Sequence, residues 1–329
     1  MPILSFADAL RETERRGLRH LLLGNGFSIA QGGEHFNYRT LLGRSGIPDD
    51  GPIRNVFRQL DTVDFEEVIR ALEHAAVIEA AYGEIGRSER FHEDAASVRD
   101  ALIRAVHEVH PGNLFDIPED QRGACAALLR KFVNIFTLNY DLLLYWVIIH
   151  GARGCHRDGF AFGDQTPDGF RTFSLEADCS VFFMHGALHL FLDNLNDTRK
   201  RVVTNHTIVD DITDTIRRSR KLPLFVAEGT AAQKMRKINS VPYLRNAYLN
   251  LKGCNGSLFI FGHSAGEQDR HVYDAIASSQ IATIYFCVHR PQDTLAEVQD
   301  RLFPFVEANP RKVVKYVDSG TVNVWGAVR

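Results

Sequence analysis

Four stretches place chemically competent residues directly after short apolar runs: GNGFS at 24–28, TLNYD at 137–141, HGALH at 185–189 and GHSAG at 262–266. In the first, Gly24 and Gly26 let the backbone approach a ligand closely, and the helix start beyond them offers unpaired N–H groups to phosphate. Asn25 and Phe27 complete that loop, and Ser28 adds a hydroxyl. It is not a full dinucleotide fingerprint, because Ile29 stands where the third glycine belongs, and no GK[ST] ending marks a P-loop. A purely structural tight turn is the competing reading.

TLNYD ends a buried strand in an amide and a carboxylate, at the carboxyl edge where open α/β sheets bind ligands. Asn139 can orient a water or a ribose hydroxyl, and Asp141 can accept from an amide or hydroxyl. Both can equally serve as caps for the helix that follows. His185 ends another apolar strand, where an imidazole can act as general base, and Gly186 allows close backbone approach. His189 follows four residues later, but no carboxylate sits at matching helical spacing and HExxH is absent, so no metal is expected. Phe36 can cover a base or nicotinamide ring, or simply pack.

GHSAG matches the GxSxG nucleophile elbow, after a strand as required. A serine hydrolase then needs an acid and a histidine beyond Ser264. Only His271 and His289 follow; the first lies in the elbow's own helix, the second ends the next strand. The triad is hard to complete. The other use of Gly262, His263 and Ser264 is to hold phosphate or ribose, with Glu267 or Asp269 near a ribose diol.

The elements that must position these loops follow from the apolar runs. Strands are expected at Leu21–Leu23, Asn134–Leu138, Val181–Met184, Leu224–Ala227, Leu258–Phe261, Thr283–Val288 and Lys312–Val317, alternating with helices. That pattern predicts a Rossmann-like α/β fold, a mostly parallel sheet covered by helices on both faces. Residues 50–130 are helical in pattern and read as a large insertion, and 190–250 as a second, mostly helical one, within a single domain spanning 1–329. Asp64 with Glu67 makes a cap box, and Phe65, Val68, Ile69, Leu72, Ala75 and Ala76 then line one helix face.

With 329 residues, 45% of them hydrophobic, the chain can bury a sizeable core, and a formal charge of −3 gives no general case for nucleic-acid binding. The five cysteines form no CxxC pair, which leaves neither a zinc knuckle nor a disulfide framework visible. The start, MPILSFADAL, lacks signal-peptide character, and the apolar run LLLYWVIIH is far short of the roughly 18–20 residues that span a bilayer. A cytoplasmic protein without membrane contact is expected.

Taken in order, Gly24-x-Gly26-x-Ser28, Thr137-x-Asn139-x-Asp141, His185-Gly186 and Gly262-x-Ser264 resemble the SIR2-like (sirtuin-like) superfamily, nearest in pattern to bacterial SIR2-like NAD⁺ hydrolases and DUF4917-type proteins. The resemblance implies that NAD⁺ is the substrate, with Asn139 positioning a water or ribose, His185 acting as base and Asp141 near the carboxamide. The deacylases of that superfamily carry a module of paired zinc-binding cysteines between their HG and GTS segments. Between 187 and 261 this chain has only Cys254, so hydrolysis of the nicotinamide–ribose bond fits better than deacylation. The resemblance also implies a role in antiphage defence by NAD⁺ depletion, in a homo-oligomer or under a partner protein. The competing readings are a catalytically silent NAD- or ADP-ribose-binding or assembly subunit, and the serine hydrolase above.

Overall fold

A computed structural model describes residues 3–14, 17–32, 38–151, 154–160, 169–202, 207–226 and 230–326. The strands are β1 (Arg19–Leu23), β2 (Asn134–Thr137), β3 (Phe170–Thr172), β4 (Val181–Phe183), β5 (Gly186–Leu192), β6 (Thr198–Arg201), β7 (Pro223–Phe225), β8 (Asn255–Phe261), β9 (Gln280–Val288) and β10 (Val313–Asp318). Six of them form one parallel sheet in the order β10-β9-β8-β1-β2-β4. Counting only its own strands along the chain, this is the 3-2-1-4-5-6 order of doubly wound sheets, and it reverses between β1 and β8.

Apolar residues on both faces explain why the sheet is buried between helices. Successive side chains of a strand point to opposite faces. Leu21 and Leu23 therefore join one core, with Phe259, while Leu22 joins the other, with Phe136, Leu258 and Ile260. The described helices are α1 (Phe6–Thr13), α2 (Gly26–Ala30), α3 (Tyr38–Arg44), α4 (Pro52–Gln59), α5 (Phe65–Ala81), α6 (Ile85–Val109), α7 (Glu119–Leu129), α8 (Leu143–Gly151), α9 (Ile208–Ser219), α10 (Ala231–Ser240), α11 (Pro242–Lys252), α12 (Arg270–Ser278) and α13 (Pro291–Ala308). No described helix is long and apolar enough to cross a membrane.

The large helical insertion between β1 and β2 is built on α5 and α6. Asp64 caps α5, but its side chain accepts from the Glu66 N–H at 2.8 Å rather than closing a box with Glu67. Phe65, Val68, Ile69, Leu72 and Ala76 form its buried face, as the spacing predicts. Helix α6 begins at Ile85, four residues after α5 ends at Ala81, and the two helices make a long hairpin.

Residues 190–250, expected to be mostly helical, also contain β6, β7 and the end of β5, which with β3 form a second, antiparallel sheet of order β3-β6-β5-β7. TRKR at 198–201 hides β6 from a hydropathy reading, because its inward position is a lysine. Lys200 is buried there by an ion pair with Asp158 at 2.5 Å. The chain passes from one sheet to the other at His185. Gly186, at φ +83°, makes that bend, and a Cβ on it would lie 1.9 Å from the Leu224 carbonyl oxygen.

Candidate active site

The loop after β1 meets the loop after β8 at the point where strand order reverses. The Gly24 N–H donates to the Phe261 carbonyl at 2.9 Å and the Gly26 N–H to the Gly262 carbonyl at 2.8 Å. A Cβ on Gly24 would sit 2.6 Å from the Gly262 oxygen, and one on Gly26 would sit 2.5 Å from the Gly262 Cα. Glycine is required by this contact between backbones. The N–H groups of Phe27, Ser28 and Ile29 also bond within the loop, to Gly24 and Asn25 carbonyls. What the loop offers a ligand is close approach more than the free N–H donors expected from its sequence.

Behind the loop lies a buried polar network. The Asn139 amide donates to the Gly24 carbonyl at 3.0 Å and to Ser28 Oγ at 3.1 Å. Ser28 Oγ donates in turn to Asp141, whose other oxygen accepts from the Leu143 N–H at 2.9 Å. Burial pushes the Asp141 carboxyl above the usual carboxylate range, against the hydrogen bond from Ser28 and the charge of His110. Asn139 Oδ1 is buried without a partner, an unmet acceptor of the kind that a ligand hydroxyl or water satisfies. Phe27 is fully buried, its ring 4.8 Å from Trp325, whose indole N–H donates to the Phe27 carbonyl at 2.7 Å. Phe27, Ser28 and Asp141 therefore hold the loop from behind.

In front of the junction is a cavity of about 1300 Å³, lined by Gly24, Asn25, Gly26, His185, Gly262, His263, Ser264 and Asp269. The sequence reading placed all eight at a ligand site. Lys234 from α10 and Arg54 and Arg58 from α4 join the lining without any signal in the sequence.

His185 Nε2 lies 2.9 Å from His271 Nε2, so one ring donates and the other accepts. Asp269 sits beside them, bonded by Lys234 Nζ at 2.7 Å and approached by His263 Nε2 at 3.3 Å. His263 Nδ1 accepts from the Ala265 N–H, which leaves Nε2 to donate to Asp269, and Tyr273 Oη lies 3.0 Å from that Nδ1. Burial depresses His185 well below the ordinary imidazole value, with Asp269 opposing, and depresses His271 to about 4. Burial works the other way on Asp269, yet the His263 hydrogen bond and the positive charge beside it, chiefly the bonded Lys234 ammonium at neutral pH, hold it well below the usual carboxylate range. Both imidazoles are therefore neutral at pH 7 beside an ionised carboxylate.

The expectation that no metal is involved is corrected by this cluster. His185, Asp269 and His271 each present a ligand atom, and these lie within 4.8 Å of one another. Helical spacing around His185 and His189 does not reveal the set, because the partner histidine is 86 residues away in the chain. His189 itself is fully buried and stacks on Tyr145 at 4.3 Å.

Other expected contacts lie elsewhere. Gly186 packs on β7, and Glu267 is exposed and pairs with Arg270. Phe36 lies outside the described residues. Ser264 is exposed, with its carbonyl bonded by Arg301 at 2.9 Å. Positive φ falls on Gly262 and Ala265 rather than on Ser264, and residues 263–266 are not helical, so the strand–turn–helix of a nucleophile elbow is not formed. Among the described residues no histidine bonds the Ser264 hydroxyl.

A family model described as a domain of unknown function, DUF4917, matches residues 21–325. The chain belongs to the DUF4917 family. No curated protein matches it. This DUF4917 chain is distantly similar to solved structures of Sir2 proteins. One, described as Sir2Tm bound to a propionylated peptide, is 13% identical with a TM-score of 0.38, covering 97% of this chain and 92% of that one. Another, from work on sirtuin substrate affinity, is 14% identical with a TM-score of 0.39, covering 95% and 93%. A Sir2 mutant with a p53 peptide and NAD is 14% identical with a TM-score of 0.37, covering 93% and 99%. Likenesses this distant carry no weight for the chemistry.

Proposed function

We propose that the protein is an NAD⁺ glycohydrolase, cleaving the nicotinamide–ribose bond with water to give nicotinamide, ADP-ribose and a proton. The observation that carries this reading is the meeting of Gly24, Gly26 and Gly262 at the strand-order reversal, with His185 in the same cavity. Dinucleotides bind at such reversals in open α/β sheets. The cavity exceeds the roughly 300–1,000 Å³ of ordinary small-molecule pockets, which leaves room for both halves of the substrate.

Cleavage of an N-glycosidic bond passes through an oxocarbenium-like state with a neutral leaving group. It asks for a positioned water and oriented ribose hydroxyls more than for a strong acid. In this reading Asn139, which lies behind the loop and does not line the cavity, positions the Gly24 backbone and Ser28, and its unmet Oδ1 accepts from a water or ribose hydroxyl only once the loop admits one there. His185 takes the proton that the water loses as its oxygen bonds to C1′. Asp141 reaches neither; it fixes Ser28 and through it the loop. Control by assembly or by a partner protein remains part of the proposal.

The test is release of nicotinamide from NAD⁺ by the purified protein, followed chromatographically. Wild type is expected to turn over, and His185→Ala to fall by about 10²–10⁴ with its fold intact by circular dichroism. Asn139→Ala is expected to lose turnover as well. Full activity in both variants would sink the mechanism, and binding of NAD⁺ without nicotinamide release would favour the silent binding module.

A further inference from the structure

The cluster beside the candidate base has the donor set of a transition-metal site. Two imidazoles and one carboxylate converge, and a tetrahedral ion held by three protein ligands keeps one position open to solvent or substrate. Two metal–nitrogen bonds of about 2.0–2.1 Å at a tetrahedral angle separate the nitrogens by roughly 3.3 Å. The observed His185–His271 separation of 2.9 Å needs only a few tenths of an ångström of opening. His185 and Asp269 face the cavity, which provides an entry path, and His271 closes the set from behind. His271 Nδ1 is buried with no partner, so it is free to carry the ring's proton once Nε2 exchanges its bond to His185 Nε2 for a metal. Imidazole donors select zinc-like ions over magnesium or calcium.

We propose that His185, Asp269 and His271 bind a zinc-class divalent ion, and that its occupancy switches off the hydrolase by taking the lone pair of the candidate base. The direction of the switch follows from charge. The substrate's nicotinamide ring is cationic and the transition state oxocarbenium-like, so a dication at His185 repels both. The groups facing the site set its strength. Lys234 shares Asp269 with the ion and opposes it electrostatically, while His263 donates to the same carboxylate. The second imidazole also lacks the outer hydrogen bond that usually supports a metal-bound histidine, which costs about 10–100-fold in affinity. These features make the site weaker than a permanent structural zinc site, so that the ion exchanges. The switch rests on the hydrolase reading above, but the metal site does not.

The experiment titrates chelator-treated full-length protein with Co²⁺, reading the visible absorption of the bound ion, and then with Zn²⁺ in competition. One ion per chain is expected, weakened at least tenfold in His271→Ala and in Asp269→Asn, and strengthened in Lys234→Met. Zn²⁺ at saturating concentration is expected to suppress nicotinamide release by wild type, with chelator restoring it. No binding below about millimolar, or binding unchanged by all three substitutions, overturns the site. Activity that needs the ion overturns the switch. Metal binding as expected in a protein that never releases nicotinamide upholds the site and removes the hydrolase reading together with the switch.

Discussion

Gly26 and Gly262 are in backbone contact: the Gly262 Cα lies 2.5 Å from where a Cβ on Gly26 would be. The two loops that end β1 and β8 are thereby locked together, by the absence of side chains and by the Gly26 N–H bond to the Gly262 carbonyl at 2.8 Å. Gly26→Ala is expected to destabilise the protein by about 1–3 kcal/mol or more, since backbone must move. Gly43, exposed in α3 with nothing within 4 Å of a built Cβ, is the control. Gly43→Ala is expected to stabilise by about 0.5–1 kcal/mol. Urea unfolding of both variants checks the pair, and equal stabilities would mean that the junction yields freely.

Asp141 separates a positioning role from a catalytic one. Its two oxygens are committed to Ser28 and to the Leu143 N–H. Asp141→Ala leaves those buried donors unmatched, a loss of about 1–3 kcal/mol for each such group. The melting temperature should drop, and KM for NAD⁺ should rise along with any fall in kcat as the glycine loop loosens. A fall in kcat alone, at unchanged stability and KM, would instead put the carboxylate at the reacting atoms.

Ser264→Ala distinguishes the two hydrolase chemistries. With an exposed hydroxyl outside an elbow, Ser264 is expected to affect NAD⁺ cleavage within a few-fold, mainly through KM. Loss of ester hydrolysis in this variant, from a wild type that has such activity, would restore the serine-nucleophile reading.

His189 should be replaceable at a gain. Both ring nitrogens are buried without a partner, beside Tyr145 and Phe183. Removing unsatisfied polar groups in favour of an apolar side chain of similar size is neutral to stabilising, by about 1 kcal/mol. Burial, reinforced by the Lys200 charge, holds the His189 imidazole well below its ordinary pKa of 6.5. A depressed folded value means that stability is complete above pH 6.5 and is lost as pH falls toward the folded pKa. The advantage of His189→Leu, measured by denaturant unfolding, should therefore widen from pH 7 to pH 5. A constant difference would show that this imidazole does not titrate on unfolding.

The parallel sheet was legible in the sequence because each of its strands is an apolar run bounded by polar punctuation. Leu21–Leu23 and Leu258–Phe261 can be buried in few other ways, and the glycines after them mark the loops that must approach closely. The α5 face was legible for the same reason, its spacing carrying its own period. The second sheet was legible only at β7, an apolar run within the expected strand at 224–227; β6 was not, because it reads Thr-Arg-Lys-Arg and its lysine is buried through the Lys200–Asp158 pair, which joins residues 42 apart in the chain.

The chemical residues divide in the same way. By itself the sequence determined that Gly24, Gly26, Asn139, His185 and Gly262 end strands of one sheet, since strand ends are local events. Only the tertiary structure decided what each faces. It turned Asp141 and Ser28 inward, where Asn139 ties them to the loop, and left Ser264 outside an elbow. It also brought His271, Asp269 and Lys234 around His185, from helices whose spacing to it carries no signal. Side-chain direction at a loop, and the partners met across the cavity, depend on how the helices pack on the sheet.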